Sequence, residues 1–167
     1  MSLYSLVVWP PDELDGWLTR HQAALGVAGY GPPHLNVRTP FQWDGDESDL
    51  AARFRRALDG VRPFDVRVKG WRRFPHVFFL EMQRTPELLD LHERALAVEA
   101  LPGGTRDGSG FIPHLTMALG VCSWAENPLW AQVALLDPPL MGWRVREVAL
   151  TREHQGALIE VRRYPLT

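Results

Sequence analysis

Two histidines stand eighty residues apart in matching company, in Pro33-His34-Leu35-Asn36-Val37 and Pro113-His114-Leu115-Thr116-Met117. In an extended chain successive side chains alternate between faces. Each segment therefore puts an imidazole and a neutral hydrogen-bond donor, Asn36 or Thr116, on one face and apolar residues on the other. An ordinary imidazole titrates near pH ~6.5, so one of the pair can be neutral and accept a proton while the other is charged and gives one. Asn36 and Thr116 can donate to the non-bridging oxygens of a phosphoryl group and stabilise charge that develops there. A lone histidine in such a place is ordinarily a half-buried structural residue bonded to backbone. Two at equivalent positions argue for a general acid and a general base across one cleft.

The elements that must position them follow from periodicity and turn signals. Leu3 to Trp9 reads as a buried strand, and Pro10-Pro11-Asp12 opens a helix to about Leu25 with Leu14, Trp17, Leu18 and Leu25 on one side. Pro33 to Phe41 reads as a strand, and Asp46 to Leu58 as a helix with an acidic start. Phe64 to Trp71 and Phe74 to Met82 form two strands around a turn at Arg72-Arg73. A helix from Glu87 to Ala100 ends at Pro102-Gly103-Gly104, and the polar segment from Gly103 to Gly110 is expected to be the most mobile loop. Ile112 to Gly120 is then a strand, Asn127 to Leu136 a helix, and Gly142 to Thr151 with Ala157 to Arg163 a last pair of strands.

Helix, strand, helix, strand, strand thus occurs twice. The offset that carries His34 onto His114 also carries Leu50–Leu58 onto Trp130–Pro138 and Val77-Phe78-Phe79 onto Ala157-Leu158-Ile159. The expected fold is α+β, a single domain over 1–167 made of two pseudo-symmetric lobes, about 1–82 and 83–167. Each lobe is an antiparallel sheet with helices on its outer face, and a cleft lies between them.

Composition bounds the function. With 167 residues, 46% hydrophobic, the chain can hold a core without staples, and its one cysteine, Cys122, allows neither an internal disulfide nor a cysteine zinc cluster. Cys122 is expected to be a small buried apolar side chain. The cysteine usage suits a cytoplasmic protein, and Leu6 to Pro11 is too short to span a bilayer or act as a signal peptide. A formal charge of −2 excludes coating of long nucleic acid by bulk charge, but not a local basic cleft. Lys69 is the lone lysine among 18 basic residues, and arginine is the better fork for phosphate.

The paired segments resemble the His-x-Thr-x motifs of the two-histidine (2H) phosphoesterases, most nearly the 2′-5′ RNA ligase-like branch. The flanks are similar as well: His34-Leu35-Asn36-Val37-Arg38-Thr39-Pro40-Phe41 resembles that branch's first motif, Phe74 to Leu80 its middle hairpin, and Phe111 to Thr116 its second motif. The resemblance implies metal-independent chemistry, without cofactor, on 2′,3′-cyclic phosphates or 2′-5′ linkages at RNA ends, possible in reverse as ligation. His34 and His114 would be the catalytic pair, with His34 protonating the leaving ribose oxygen and His114 activating water, or the reverse. The first motif departs from the family in carrying Asn36 where a hydroxyl residue is usual. Hydrolysis of a small cyclic nucleotide-like phosphodiester and a non-catalytic RNA- or nucleotide-binding module are the alternatives, Asn36 favouring the second. A monomer without membrane attachment is expected.

Around this pair, Arg38 lies four residues beyond His34 and could clamp a phosphate if the strand stays regular, although a solvated strand-end arginine is its plainer reading. Tyr30, Phe74 and Phe111 could stack on a base or simply pack. Arg72 and Arg73 read as a solvated turn, and His21, His92 and His154 as surface residues. Other motifs fail on spacing. Asp44 to Arg55 lacks the glycine and final glutamate of a calcium loop, His92-Glu93 has Leu96 where a zinc-binding helix needs histidine, Gly108-Ser109-Gly110 is no nucleophile elbow, and no phosphate loop is present.

Overall fold

A computed structural model describes residues 2–102 and 106–167. Strand β1 (Ser2–Val8) leads through Pro10-Pro11 into α1 (Asp12–Leu25), whose first turn carries Asp12, Glu13 and Asp15 against the positive end of the helix dipole. Gly26, at φ 67°, ends it in the left-handed region, returning its N–H to Ala23 and Gln22. After β2 (Leu35–Trp43), Asp46 caps α2 (Glu47–Ala57) by accepting the Ser48 N–H, so the acidic run from Asp44 is a helix start. Strands β3 (Phe64–Phe74) and β4 (Val77–Met82) precede α3 (Pro86–Leu96), which Thr85 caps and Pro86 begins. The two-residue β5 (Leu101–Pro102) pairs with β2. Strand β6 (His114–Ala118), α4 (Glu126–Val133), β7 (Gly142–Val145), β8 (Glu147–His154) and β9 (Ala157–Pro165) complete the chain.

Every strand pairing is antiparallel, and the order is β7-β3-β4-β6-β2-β1-β8-β9. The strand expected over 142–151 is broken at Arg146: β7 pairs with β3 at one end of the order, while β8 pairs with β1 near the other. A sheet whose two ends are joined through one residue has to curl. The middle hairpin also turns later than expected, at Pro75-His76 instead of Arg72-Arg73. Pro75 fixes the first turn residue and His76 takes φ 67°, held by its Nδ1 on the Val121 carbonyl (2.7 Å) and by its N–H on Glu126 (2.8 Å). No glycine or asparagine marks that turn.

The seam of the sheet lies between β6 and β2. One side holds β7, β3, β4 and β6 and the other β2, β1, β8 and β9, so neither corresponds to residues 1–82 or 83–167. The repeat survives where it counts, since β2 and β6 flank the seam and β3 and β8 stand equally far from it. It fails for the hairpins' second strands, because β4 lies inside next to β6 while β9 is the outer edge. Phe78 and Phe79 are accordingly buried, and Ile159 is exposed.

The helices cover one face of the sheet. Leu14 and Leu18 of α1, Leu50 and Phe54 of α2, and Leu88 and Leu91 of α3 share a core with Leu35, Val37, Leu80, Leu115 and Met117. Burying such side chains contributes roughly 1.5–3 kcal/mol each before entropic costs. The two histidine strands are thus anchored by their apolar residues, and their alternate residues face the other way.

Candidate active site

Across the seam β2 and β6 register through Leu35 and Leu115. Carrying that register one residue either way sets His34 opposite Thr116 and Asn36 opposite His114. The imidazoles then occupy a diagonal, where cross-strand side chains stand roughly 7–8 Å apart. All four side chains are half-buried on the face the helices leave open.

Both histidines are held in the same way. His34 Nδ1 lies 2.8 Å from the Pro32 carbonyl, and His114 Nδ1 lies 2.7 Å from the Ile112 carbonyl, in each case two residues back and across a buried proline. A carbonyl only accepts, so Nδ1 carries the proton and Nε2 the lone pair of each neutral ring. Neither Nε2 has a hydrogen-bond partner among the described residues, and neither is a buried orphan. Two accessible Nε2 atoms thus lie on one face of the sheet, on a diagonal across the seam.

Their surroundings differ. His34 meets the edge of Trp9, centroids 6.3 Å apart, and the Trp9 indole donates to Glu160 at 3.0 Å. Its pKa is lowered by burial, with the Pro32 carbonyl opposing and the charge of His114 adding to the shift. His114 packs on Phe79 at 4.9 Å and stands directly across from Glu81. Glu81 is only 6% exposed, and it holds Arg72 through both oxygens, at 3.0 and 3.2 Å, with Lys69 at 3.7 Å. Burial lowers the His114 pKa, the Ile112 carbonyl raises it, Arg106 lowers it and Glu81 raises it.

Asn36 Oδ1 is buried without a partner among the described residues, which leaves the amide nitrogen as the group able to donate into the cleft. Thr116 is fixed from behind, its own carbonyl accepting from Gln22 at 3.4 Å and that of Met117 at 3.1 Å.

Several expectations need correction. Arg38 does not reach the cleft. The β1–β2 register slips between Leu6–Arg38 and Val7–Asn36, and the bulge turns Arg38 inward. There it is 4% exposed, lies 4.2 Å over Phe41, and donates to the Ala95 and Val98 carbonyls at 2.9 and 2.7 Å, satisfying the end of α3. Phe111 is also unavailable to a base, because it is buried and stacked at 3.8 Å on His92. His92 itself is not a surface residue: buried in α3, it donates from Nδ1 to the Val37 carbonyl at 2.5 Å and accepts the Gly108 N–H at 2.9 Å. With Asp107 accepting the Thr39 N–H and hydroxyl, it pins the segment before His114 onto β2. Cys122 is exposed, as is His154, while His21 packs on Trp17 at 4.4 Å.

Phe74 remains half-buried at the cleft, with the guanidiniums of Arg72 and Arg106 at 5.0 and 4.9 Å from its ring. Tyr30 is exposed, its phenol pKa pushed up to about 12 by desolvation and then by the Glu153 carboxylate. Arg73, also exposed, bonds Asn127 at 3.0 Å. Part of the Gly103 to Gly110 loop, 103–105, lies outside the described residues. Sequence reasoning missed Glu81, Trp9, Arg106 and the clamp made by His92. The one available signal was a single carboxylate inside the apolar run Val77 to Met82.

Among the described residues no group of three or more His, Cys, Asp or Glu could hold a metal ion, and no helix is long and apolar enough to cross a membrane.

Residues 10–157 match the family model of the 2′-5′ RNA ligase superfamily. The chain belongs to that superfamily. A Bacillus licheniformis protein bearing an inferred phosphoesterase name is 31% identical over 125 residues, 69% of each chain, and a similarly named Staphylococcus haemolyticus protein is 25% identical over 84% of this chain and 82% of its own. The fold of this superfamily member is that of a Thermus thermophilus protein (TM-score 0.68, 22% identity, 99% and 98% of the two chains covered). It is also that of E. coli LigT solved with 3′-AMP (TM-score 0.65, 16% identity, 99% and 98% covered). Kluyveromyces marxianus Usb1 with uridine monophosphate is more distant (TM-score 0.52, 14% identity, 99% and 97% covered).

Proposed function

We propose that this superfamily member is a metal-independent phosphodiesterase acting on 2′,3′-cyclic phosphate RNA ends or 2′-5′ linkages, with His34 and His114 as its acid and base. The observation that carries this reading is the matched pair of accessible Nε2 atoms, each oriented by an Nδ1–H bond to a backbone carbonyl. Superfamily membership and the nucleotides found with LigT and Usb1 support a nucleotide phosphodiester as substrate.

In hydrolysis the His114 Nε2 takes a proton from water as the water oxygen bonds to phosphorus. The bond from phosphorus to a ribose oxygen breaks, and His34 gives its Nε2 proton to that oxygen, leaving a phosphate monoester and a free hydroxyl. The Asn36 amide and Thr116 hydroxyl donate to the non-bridging oxygens as they gain charge. Glu81 across from His114 favours the imidazolium that forms when His114 accepts the proton. With a ribose hydroxyl in place of water, His114 takes its proton as the hydroxyl oxygen bonds to the phosphorus of a cyclic phosphate, the ring P–O bond breaks, and His34 protonates the departing ribose oxygen, which joins the two ends.

The test is incubation with 2′,3′-cyclic mononucleotides and with short RNA ending in a cyclic phosphate, in the presence of EDTA. Turnover is expected with both. Binding without turnover would replace the enzyme by the binding module that the buried orphan oxygen of Asn36 favours.

A further inference from the structure

The cleft is electrically lopsided, and the charged end has a cavity of its own. Beyond the Glu81–His114 pair, Lys69, Arg72, Glu81 and Arg84 line a space of about 310 Å³ closed by Ser109 to Ile112. Ile112 is the residue whose carbonyl holds His114, so this space begins where the histidine's own support ends. Its volume is at the bottom of the roughly 300–1,000 Å³ range of small-molecule sites, which suits one charged group with part of a sugar better than a whole nucleotide.

Three cations meet one carboxylate there. Glu81 is 8% exposed at its side chain and acts as a floor that fixes Arg72 in place, while Lys69, 66% exposed, keeps most of its ammonium free. Arg84 is exposed and has no ion-pair or hydrogen-bond partner among the described residues. A fixed guanidinium beside an exposed ammonium that shares the same carboxylate and a guanidinium without a partner leaves an excess of positive charge suited to a phosphate. The cavity beside Trp9, on the His34 side, is about 800 Å³ but mixes Asp12, Asp15, Glu147 and Glu160 with its arginines. It offers an anion no comparable excess of positive charge.

We infer that the cavity of Lys69, Arg72 and Arg84 is a second anion subsite, which takes a further phosphate of the substrate next to the one held between His34 and His114. The preferred ligand is then a nucleotide with two phosphate groups, or an RNA end whose neighbouring phosphodiester lies in this subsite. The inference rests on the phosphodiester reading above, and it adds the direction in which the rest of the substrate leaves the catalytic pair.

Calorimetric titration separates the two ideas, because it needs no turnover. Adenosine 3′,5′-bisphosphate is expected to bind on the order of tenfold or more tightly than adenosine 3′-monophosphate, since charge-assisted hydrogen bonds contribute about 1.5–3 kcal/mol. The gap should shrink with added salt. In Arg84→Gln, which alters one exposed side chain without a partner among the described residues, the gap should narrow severalfold while monophosphate affinity and hydrolysis of a 2′,3′-cyclic mononucleotide stay as in the parent. Equal binding of the two nucleotides, or a gap that is unchanged in Arg84→Gln, overturns the subsite alone. Failure of both nucleotides to bind overturns the subsite together with the phosphodiester reading.

Discussion

His34 and His114 are held by one backbone device and surrounded by two different environments. On one side the ring meets Trp9; on the other it meets Phe79 and a buried carboxylate that binds Arg72 and Lys69, with Arg106 close enough to act on its charge. The shared device, an Nδ1–H donated two residues back, fixes tautomer and direction and lies within a stretch of three residues. The differing environments come from elements far away in sequence. In the proposed mechanism the pairing supplies an acid and a base, and the asymmetry between neighbours would separate the two roles.

The largest effect should come from removing either ring. General acid-base catalysis contributes about 10²–10⁴-fold, so His34→Ala and His114→Ala should each lower kcat by that order. The double variant should lose little more than the worse single one, because each ring is useless without its partner. Single-turnover rates on a 2′,3′-cyclic mononucleotide measure this, and a single variant with parental turnover would sink the paired mechanism.

Acidity gives the next test of whether the two sides differ. Burial lowers both pKa values, so the bell-shaped profile of kcat/KM should peak on the acid side of the ordinary imidazole value of ~6.5 and fall about tenfold per unit on its flanks. The rings influence one another, so the limbs belong to the pair. The same shifts affect stability. A histidine whose pKa is lower folded than unfolded takes up more protons in the unfolded chain below ~6.5, so its contribution is present above that pH and lost as pH falls through the folded value. Urea midpoints should therefore drop toward acid in the parent and less steeply in His34→Ala or His114→Ala. A slope unchanged by either substitution would show that the rings are not desolvated.

What could be read from the chain follows the same division. The first helix, from Asp12 to Leu25, was legible because its apolar spacing, acidic start and terminal glycine all agree. The shared face of His34 with Asn36 and of His114 with Thr116 was legible because alternation along a short strand decides which residues share a face. Arg38 was not, because a bulge breaks that alternation and depends on β1 as partner, which no local pattern announces. His92 looked like a surface histidine, and Phe111 was left open between stacking on a base and packing, because the contact that buries both joins α3 to the segment before β6. The lobes were misplaced along the chain for a related reason, since repeats in sequence do not say which strands will neighbour each other. The breaking of β7 from β8 at Arg146 decides it.

A smaller effect should follow from neutralising the carboxylate that distinguishes the His114 side. Glu81→Gln keeps the shape and can still accept from Arg72, but it removes the charge that raises the His114 pKa. The His114 pKa should move further down, weakening it as a base. The expected result is a loss within about tenfold near neutral pH, because one pKa unit corresponds to a tenfold change in protonation. The profile should shift to lower pH with little change in KM for a mononucleotide. A change in KM alone would assign Glu81 to substrate binding through Arg72.

The smallest effect concerns Asn36, and its sign is informative. Asn36→Thr would place a hydroxyl where His114's own side of the seam already has Thr116, and it would remove an amide oxygen that is buried without a partner. Relieving such an orphan should stabilise the fold by on the order of 1 kcal/mol, visible as a higher urea midpoint. The hydroxyl can still donate to a phosphoryl oxygen, so turnover should be retained or rise by less than about tenfold. If turnover collapses while stability rises, the amide nitrogen makes a substrate contact that a hydroxyl cannot reach. The asparagine would then set this cleft's preference between substrates, and the unpaired oxygen behind it would be the cost of aiming that nitrogen.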